Sequence, residues 1–162
     1  MNSPQHTVVE HRYITEERQM IIDTARQFTL DEVLPVANRL DPVQGQIPDS
    51  LRQKLADMGY FGIRIPEAYG GSGLGCFEYC LITEQLARGW MSIASIIARG
   101  NGTLTIDLLS EEQKNKIFPR VVEGAYLGAM SLSEPDTGSD LASISCRAVR
   151  DGDEWVLSLI HI

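Results

Sequence analysis

The chain is poor in the residues that build the most recognisable chemistry. Its 162 residues include three cysteines and three histidines. Cys76, Cys80 and Cys146 are too few for a disulfide framework. Cys76 and Cys80 share a helical pattern, but no His or third Cys stands near them, so no metal site is expected. The three read as small core residues in a reducing cytoplasm, the expected location. His6, His11 and His161 sit at the chain ends and read as solvated. No apolar run approaches the roughly eighteen residues of a membrane span. The stretch from Met1 to Arg12 is polar and has no apolar centre, so no secretory signal is expected. Positive charge is also scarce, with 14 Lys and Arg against 22 Asp and Glu and a net charge of −8. A nucleic-acid partner is therefore not expected, because phosphate backbones need clustered cations. A phosphate-bearing cofactor is not excluded, since backbone N–H groups can hold one without net positive charge. There is no G-x-S-x-G elbow and no H-E-x-x-H pair. No carboxylates stand out as a general acid and base, and Glu78, Glu84, Glu111 and Glu112 read as helix surface.

What is present is a helical texture over the first two thirds, followed by a change. The hydrophobic share of 43% is that of a globular protein. Thr15 followed by Glu16 and Glu17 reads as an N-cap with acids in the first turn. Met20, Ile21, Ala25, Phe28 and Val33 then follow at helical spacing, and Pro35 either ends or kinks that helix. A second helix is predicted from Asp49 to Met58 with Gly59 as its stop, then a short extended piece from Tyr60 to Ile65 and a Gly-rich connection from Pro66 to Gly75. A third covers Phe77 to Arg88. A fourth, from Met91 to about Leu109, carries Ile93, Ile96, Ile97, Leu104 and Leu108 on several sides and so reads as central. Ser110 and Gln113 form a capping box for a fifth, from Glu111 to Phe118. Pro119 can open a further turn that Gly124 ends.

After that the pattern is extended. Tyr126 to Leu132 reads as a strand buried on both faces. Ser143 to Arg150 and Trp155 to Leu157, around a D-G-D turn, are further strand candidates. So few strands cannot easily make an independent sheet, and they read as the beginning of a β domain. The expected organisation is a helical domain over residues 1–125 and an incomplete β domain over 126–162.

Two loops invite a functional reading. G-G-S-G-L-G, Gly70 to Gly75, is glycine-rich, but its spacing is not that of a dinucleotide fingerprint and no acidic second strand follows, so it reads as a turn feeding a helix. S-E-P-D-T-G-S-D, Ser133 to Asp140, follows the predicted strand. Pro, Asp and Gly suit an inter-strand turn. Gly138 and Ser139 also offer bare N–H groups and a hydroxyl, the materials of an anion-binding nest. From the residues alone both readings stand.

The run A-M-S-L-S-E-P-D-T-G-S-D resembles the signature of the acyl-CoA dehydrogenase family. Three more segments resemble family segments in the same order: I-P-E-A-Y-G-G-S-G-L-G from Ile65, I-T-E-Q-L-A-R from Ile82, and S-E-E-Q-K-N-K-I-F-P from Ser110. The resemblance runs from about Thr15 to Leu157.

It implies a mainly α fold, the N-terminal helical domain of that family followed by an incomplete β domain. It implies FAD as cofactor, an acyl-CoA thioester as substrate, oxidation to the trans-2-enoyl-CoA, an electron-transfer flavoprotein as partner, a homotetramer for the full-length protein and a role in fatty acid metabolism. Met130, Leu132, Ser133, Gly138 and Ser139 resemble the FAD-binding positions, and Ser139 also a CoA contact. Ile96 and Ile97 resemble positions that limit the acyl pocket, with Arg88 or Arg99 placed to meet a carboxylated acyl tail. The family continues past Leu157 with N-G-x-K, whereas this chain reads S-L-I-H-I, so these last five residues are expected not to be native continuation. The family's catalytic glutamate lies beyond residue 162, so the fragment is expected to be inactive. The alternatives are a fragment of a flavin oxidase or monooxygenase on the same fold, and a non-catalytic helical interaction module.

Overall fold

The computed structural model describes residues 13–102, 108–129 and 131–158. The chain divides into two compact units, residues 1–128 and 129–162.

In the first unit, α1 (Glu16–Phe28) starts where Thr15 accepts the Arg18 N–H at 3.2 Å. Pro35 neither ends nor simply kinks it. A π-helical turn (Thr29–Val33) intervenes, with the Leu34 N–H bonded to the Thr29 carbonyl, and α2 (Leu34–Leu40) follows. The wider turn re-registers the backbone ahead of a residue that has no N–H to give. Next come α3 (Asp49–Asp57), α4 (Cys76–Gly89), α5 (Met91–Gly100) and α6 (Glu111–Val122). Gly59, with φ 72°, terminates α3 as expected. The capping box at Ser110 is present. α6 continues through Pro119 instead of ending before it, because Phe118 and Val121 on either side are both buried.

α5 is shorter than the sequence predicts. Gly100-Asn101-Gly102 stops it, Leu104 lies outside the described residues, and Leu108 is 80% exposed. Ile93 and Ile97, by contrast, are fully buried beside Leu55, Phe61, Leu86 and Trp90. The cysteine expectation fails: Cys76, Cys80 and Cys146 are all exposed. Helical spacing placed Cys76 and Cys80 on a face that the neighbouring helices leave open.

The predicted extended piece after Gly59 is instead a tight 3₁₀ turn (Tyr60–Gly62) sunk in the core. The Gly-rich connection folds back against it. Ser72, Gly73 and Leu74 donate to the carbonyls of Gly62, Ile65 and Ile63 at 2.9, 2.9 and 2.8 Å. A Cβ on Gly71 would lie 2.0 Å from the Ile65 carbonyl oxygen, so only glycine fits. Asn101, buried at the end of α5, ties the same turn in place. Its Nδ2 donates to the Tyr60 carbonyl at 2.7 Å and its Oδ1 accepts the Arg64 N–H at 2.9 Å. The Tyr60 hydroxyl is buried without a partner among the described residues, and burial pushes its pKa up to about 12.

α1 and α4 are joined at their N-terminal ends. Arg18 Nε and Nη2 each lie 2.7 Å from Glu78 Oε1, and Glu78 Oε2 accepts the Gly75 N–H at 3.2 Å. The Glu78 carboxyl is held below its usual range by its own backbone N–H, then by Arg18.

In the second unit, β1 (Arg147–Asp151) and β2 (Glu154–Ser158) pair antiparallel, with Val149 opposite Val156 and Gly152 turning at φ 60°. The predicted strand over residues 126–132 is not formed. Its described residues are irregular, and Tyr126, Leu127 and Leu132 are exposed. A strand needs ladder partners for its N–H and C=O groups; among the described residues no strand pairs with this stretch, and the Tyr126 N–H donates instead to the Arg120 carbonyl at 3.0 Å. The strand predicted from Ser143 to Arg150 begins only at Arg147, and Ser143 closes a 3₁₀ turn (Leu141–Ser143).

Two outcomes follow. Gly71→Ala should cost about 3 kcal/mol, read from the urea midpoint, because the obstructing atom is backbone and cannot turn aside. The contribution of Glu78 is complete above the unfolded carboxylate pKa of about 4.3 and is lost as pH falls through its lower folded value. Glu78→Gln should therefore lower the melting temperature at neutral pH, with the gap to the parent chain closing below about pH 4. An equal gap at both pH values would assign the effect to packing alone.

Candidate functional site

The Ser133–Asp140 loop is built around its acids. The Glu134 N–H donates to the Thr137 carbonyl at 2.8 Å and the Thr137 N–H returns to Glu134 at 3.1 Å, closing a turn over Pro135 and Asp136. Glu134 Oε2 accepts the Ser145 N–H and hydroxyl at 2.8 and 2.7 Å, and Oε1 accepts the Cys146 N–H at 2.8 Å. These bonds, that of the Ser145 N–H first, hold the Glu134 carboxyl below the usual range. Thr137 is buried and its hydroxyl donates to the Ser143 carbonyl at 3.2 Å. Asp140 accepts the Ser143 hydroxyl at 2.5 Å.

The residues singled out in the sequence face the other way. Leu132 is 44% exposed, and Ser133, Gly138 and Ser139 are exposed. Neither the backbone N–H groups of these four residues nor the two serine hydroxyls make a hydrogen bond among the described residues. Ser133 therefore does not end a buried strand, as the sequence suggested. A Cβ on Gly138 would meet nothing within 4 Å. Met130 lies outside the described residues. The loop turns two of its three acids inward and its free donors outward, an arrangement suited to an anionic or carbonyl-rich ligand. Glu134 and Thr137 were missed as organisers by sequence reasoning. Glu134, an acid followed by Pro in a Ser- and Gly-rich run, was the available signal.

In the helical unit, an open groove of about 500 Å³ runs between α4 and α5, lined among others by Cys80, Thr83, Met91, Ala94, Ser95 and Ala98. Its α5 wall is the face of small residues at helical spacing. Ile97 is fully buried on the core side, and Ile96 is half-buried against the same core. Arg99 is exposed. Arg88 lines a separate hollow facing α1. Glu84 lines the α4 side of the groove. Among the described residues, no group of three or more His, Cys, Asp and Glu is placed to hold a metal, and no helix is long and apolar enough to cross a membrane.

The sequence profile of the acyl-CoA dehydrogenase N-terminal domain matches residues 15–125, more than half of the chain. The chain belongs to the acyl-CoA dehydrogenase family. Among curated relatives of this chain, (2S)-methylsuccinyl-CoA dehydrogenase of Cereibacter sphaeroides is 37% identical over 146 residues, covering 89% of this chain and 27% of that protein. Benzylmalonyl-CoA dehydrogenase of Aromatoleum aromaticum is 36% identical over 148 residues, covering 90% and 39%. Among solved structures, a glutaryl-CoA dehydrogenase from Mycobacterium smegmatis in complex with FADH2 superposes with a TM-score of 0.77 at 30% identity, covering 90% of this chain and 38% of that one. The chain thus spans well under half the length of these relatives. The mainly α fold agrees with the family's N-terminal helical domain.

If Glu134 holds the loop, Glu134→Ala should speed amide exchange at Ser145 and Cys146 by about tenfold, read by NMR. Unchanged exchange at both would show that the loop stands without its carboxylate.

Proposed function

We propose that this chain is the N-terminal portion of an FAD-dependent acyl-CoA dehydrogenase that oxidises an acyl-CoA thioester to its trans-2-enoyl-CoA. The observation that carries the reading is the outward set of unbonded donors at Leu132, Ser133, Gly138 and Ser139, on a loop whose Glu134 and Asp140 are tied to its own residues. The set fits FAD, because its donors suit a carbonyl-bearing ring edge and a pyrophosphate, and no side chain crowds Gly138.

FAD, when bound, accepts the hydride that leaves the substrate's β-carbon. This chain's own part is binding and orientation. Leu132 would present backbone to the pyrimidine edge; Met130, the family's other position there, lies outside the described residues. Ser133 offers its hydroxyl on the reactive side. Gly138 and Ser139 offer N–H groups to the pyrophosphate, and Ser139 also meets the CoA moiety. The groove between α4 and α5 takes the acyl chain, with Ser95 and Ala98 leaving it width. Ile96 and Ile97 set its limit from behind, by holding α5 on the core. The α-proton is taken by a base outside this chain. The full-length protein is read as a cytoplasmic homotetramer of fatty acid metabolism that passes electrons to an electron-transfer flavoprotein.

The acyl group is proposed to carry a second carboxylate. Methylsuccinyl, benzylmalonyl and glutaryl, the acyl groups in the names of the three similar proteins described above, each keep a free carboxylate. Arg99, exposed one turn beyond Ser95, is the cation placed to meet it, whereas Arg88 lines the hollow facing α1.

The 162-residue chain alone should leave flavin fluorescence essentially unquenched. In the full-length polypeptide, Gly138→Ala should weaken FAD binding by about tenfold with an unchanged melting temperature of the apoprotein. Unchanged FAD affinity would return the loop to a plain turn. Arg99→Gln should lower kcat/KM for a carboxylated acyl-CoA by at least about tenfold and spare a neutral acyl-CoA of equal length. Equal losses on both substrates would remove Arg99 from tail recognition.

A further inference from the structure

On the α1-facing side of α4, two cations converge on one neutral atom. Arg26 of α1 donates from Nε to Gln85 Oε1 at 3.2 Å, and Arg88 of α4 donates from Nη1 to the same oxygen at 3.4 Å. Gln85 is only 4% exposed. The three residues rim a hollow of about 190 Å³ that also holds Thr29, Leu30, Leu34 and Gly89. Asp23 is the one carboxylate paired with either guanidinium among the described residues. It touches Arg26 Nη1 at 4.0 Å, the outer limit of an ion pair, and is itself largely exposed.

This arrangement is poorly resolved by the chain's own groups. An amide oxygen offers a dipole to two full charges that repel each other. Each guanidinium carries five N–H donors, and most of those on Arg26 and Arg88 are unused. The chain has a net charge of −8, so carboxylates are plentiful, yet among the described residues none closes on Arg88. Gly89 contributes to the enclosure: a Cβ there would sit 2.4 Å from Thr29 Cγ2, so the absence of a side chain lets α4 approach the π-helical turn. Leu30 and Leu34 supply the apolar wall beyond the cations, beside Thr29 and Gly89. The hollow therefore combines a forked cationic rim with an apolar interior.

We infer that Arg26, Gln85 and Arg88 form a receptor for a carboxylate on a short apolar stem. Guanidinium pairs bind carboxylates through parallel N–H···O bonds, and the apolar stem fits against Leu30 and Leu34. The carboxylate comes either from a small free acid or from an Asp or Glu side chain of a second copy of this chain; the chemistry at the rim is the same. The site is separate from the groove between α4 and α5, and the inference does not depend on the acyl-CoA reading.

The test is the NMR signal of the Arg26 Nε–H in the 162-residue chain, titrated with sodium butyrate against sodium chloride at equal ionic strength. A free-acid site gives a saturable shift with butyrate, none with chloride, and at least about tenfold weaker binding in Arg88→Gln. Arg88→Lys should weaken binding too, because it keeps the charge but loses the fork. A second-copy site gives instead a shift that depends on protein concentration, together with weaker self-association of Arg88→Gln in sedimentation. Arg88 is exposed and the Gln85 oxygen keeps its bond from Arg26 when Arg88 is replaced, so the variants should melt like the parent chain. A drift that is the same for butyrate and chloride, with no dependence on protein concentration, would overturn the inference and leave two solvated cations sharing an amide.

Discussion

The helical unit depends on one backbone-to-backbone approach, that of residues 71–74 onto residues 62–65. Without a side chain at Gly71, the Ile65 carbonyl and its neighbours can accept the N–H groups of the returning loop. Those bonds satisfy the backbone of a segment whose side chains Phe61, Ile63 and Ile65 are buried, which would otherwise carry unpaired polar groups into the core. Asn101 completes the arrangement by answering the Tyr60 carbonyl and the Arg64 N–H from the end of α5. α6 joins it where Val122 meets Gly62 so closely that a Cβ there would lie 2.9 Å away. The direction in which α4 leaves the loop, and hence the groove it makes with α5, follows from this crossing.

The two loops that drew attention in the sequence solve opposite problems with similar residues. In residues 70–75 Gly71 brings backbone against backbone, and the N–H groups of Ser72, Gly73 and Leu74 point inward. In residues 133–140 the acids take the inward role, through Glu134 on Ser145 and Cys146 and Asp140 on Ser143. Gly138 and the two serines are left facing out. A glycine-rich composition does not by itself say whether a loop binds a ligand or binds its own chain. The partners of its N–H groups do.

Much of the helical unit was legible in advance. Thr15 and Ser110 marked helix starts because their oxygens cap free N–H groups locally, and Gly59 marked a stop because a left-handed residue was needed there. What failed depended on neighbours. Residues 60–65 are apolar enough for a strand but form a turn, since their bonding partners are a later loop. Residues 126–132 have strand composition without a strand to pair with. Cys80 keeps helical spacing yet lies on an open face. On α5 the sequence pointed to Ile96 and Ile97, while the groove is lined by Met91, Ala94, Ser95 and Ala98, because burial of Ile93 and Ile97 rotates the small-residue face outward.

The sequence by itself determined where helices begin, which face of each is apolar, and the ordered segments whose resemblance pointed to the family. These are local facts, set by a cap, a period of 3.6 residues or a fixed order of side chains. Only the tertiary structure decided which donors stay free at Ser133 and Ser139, which side of α4 holds Arg88, and which face of α5 opens on the groove. Those depend on what each group meets across the chain, through packing and hydrogen bonds that no local pattern specifies.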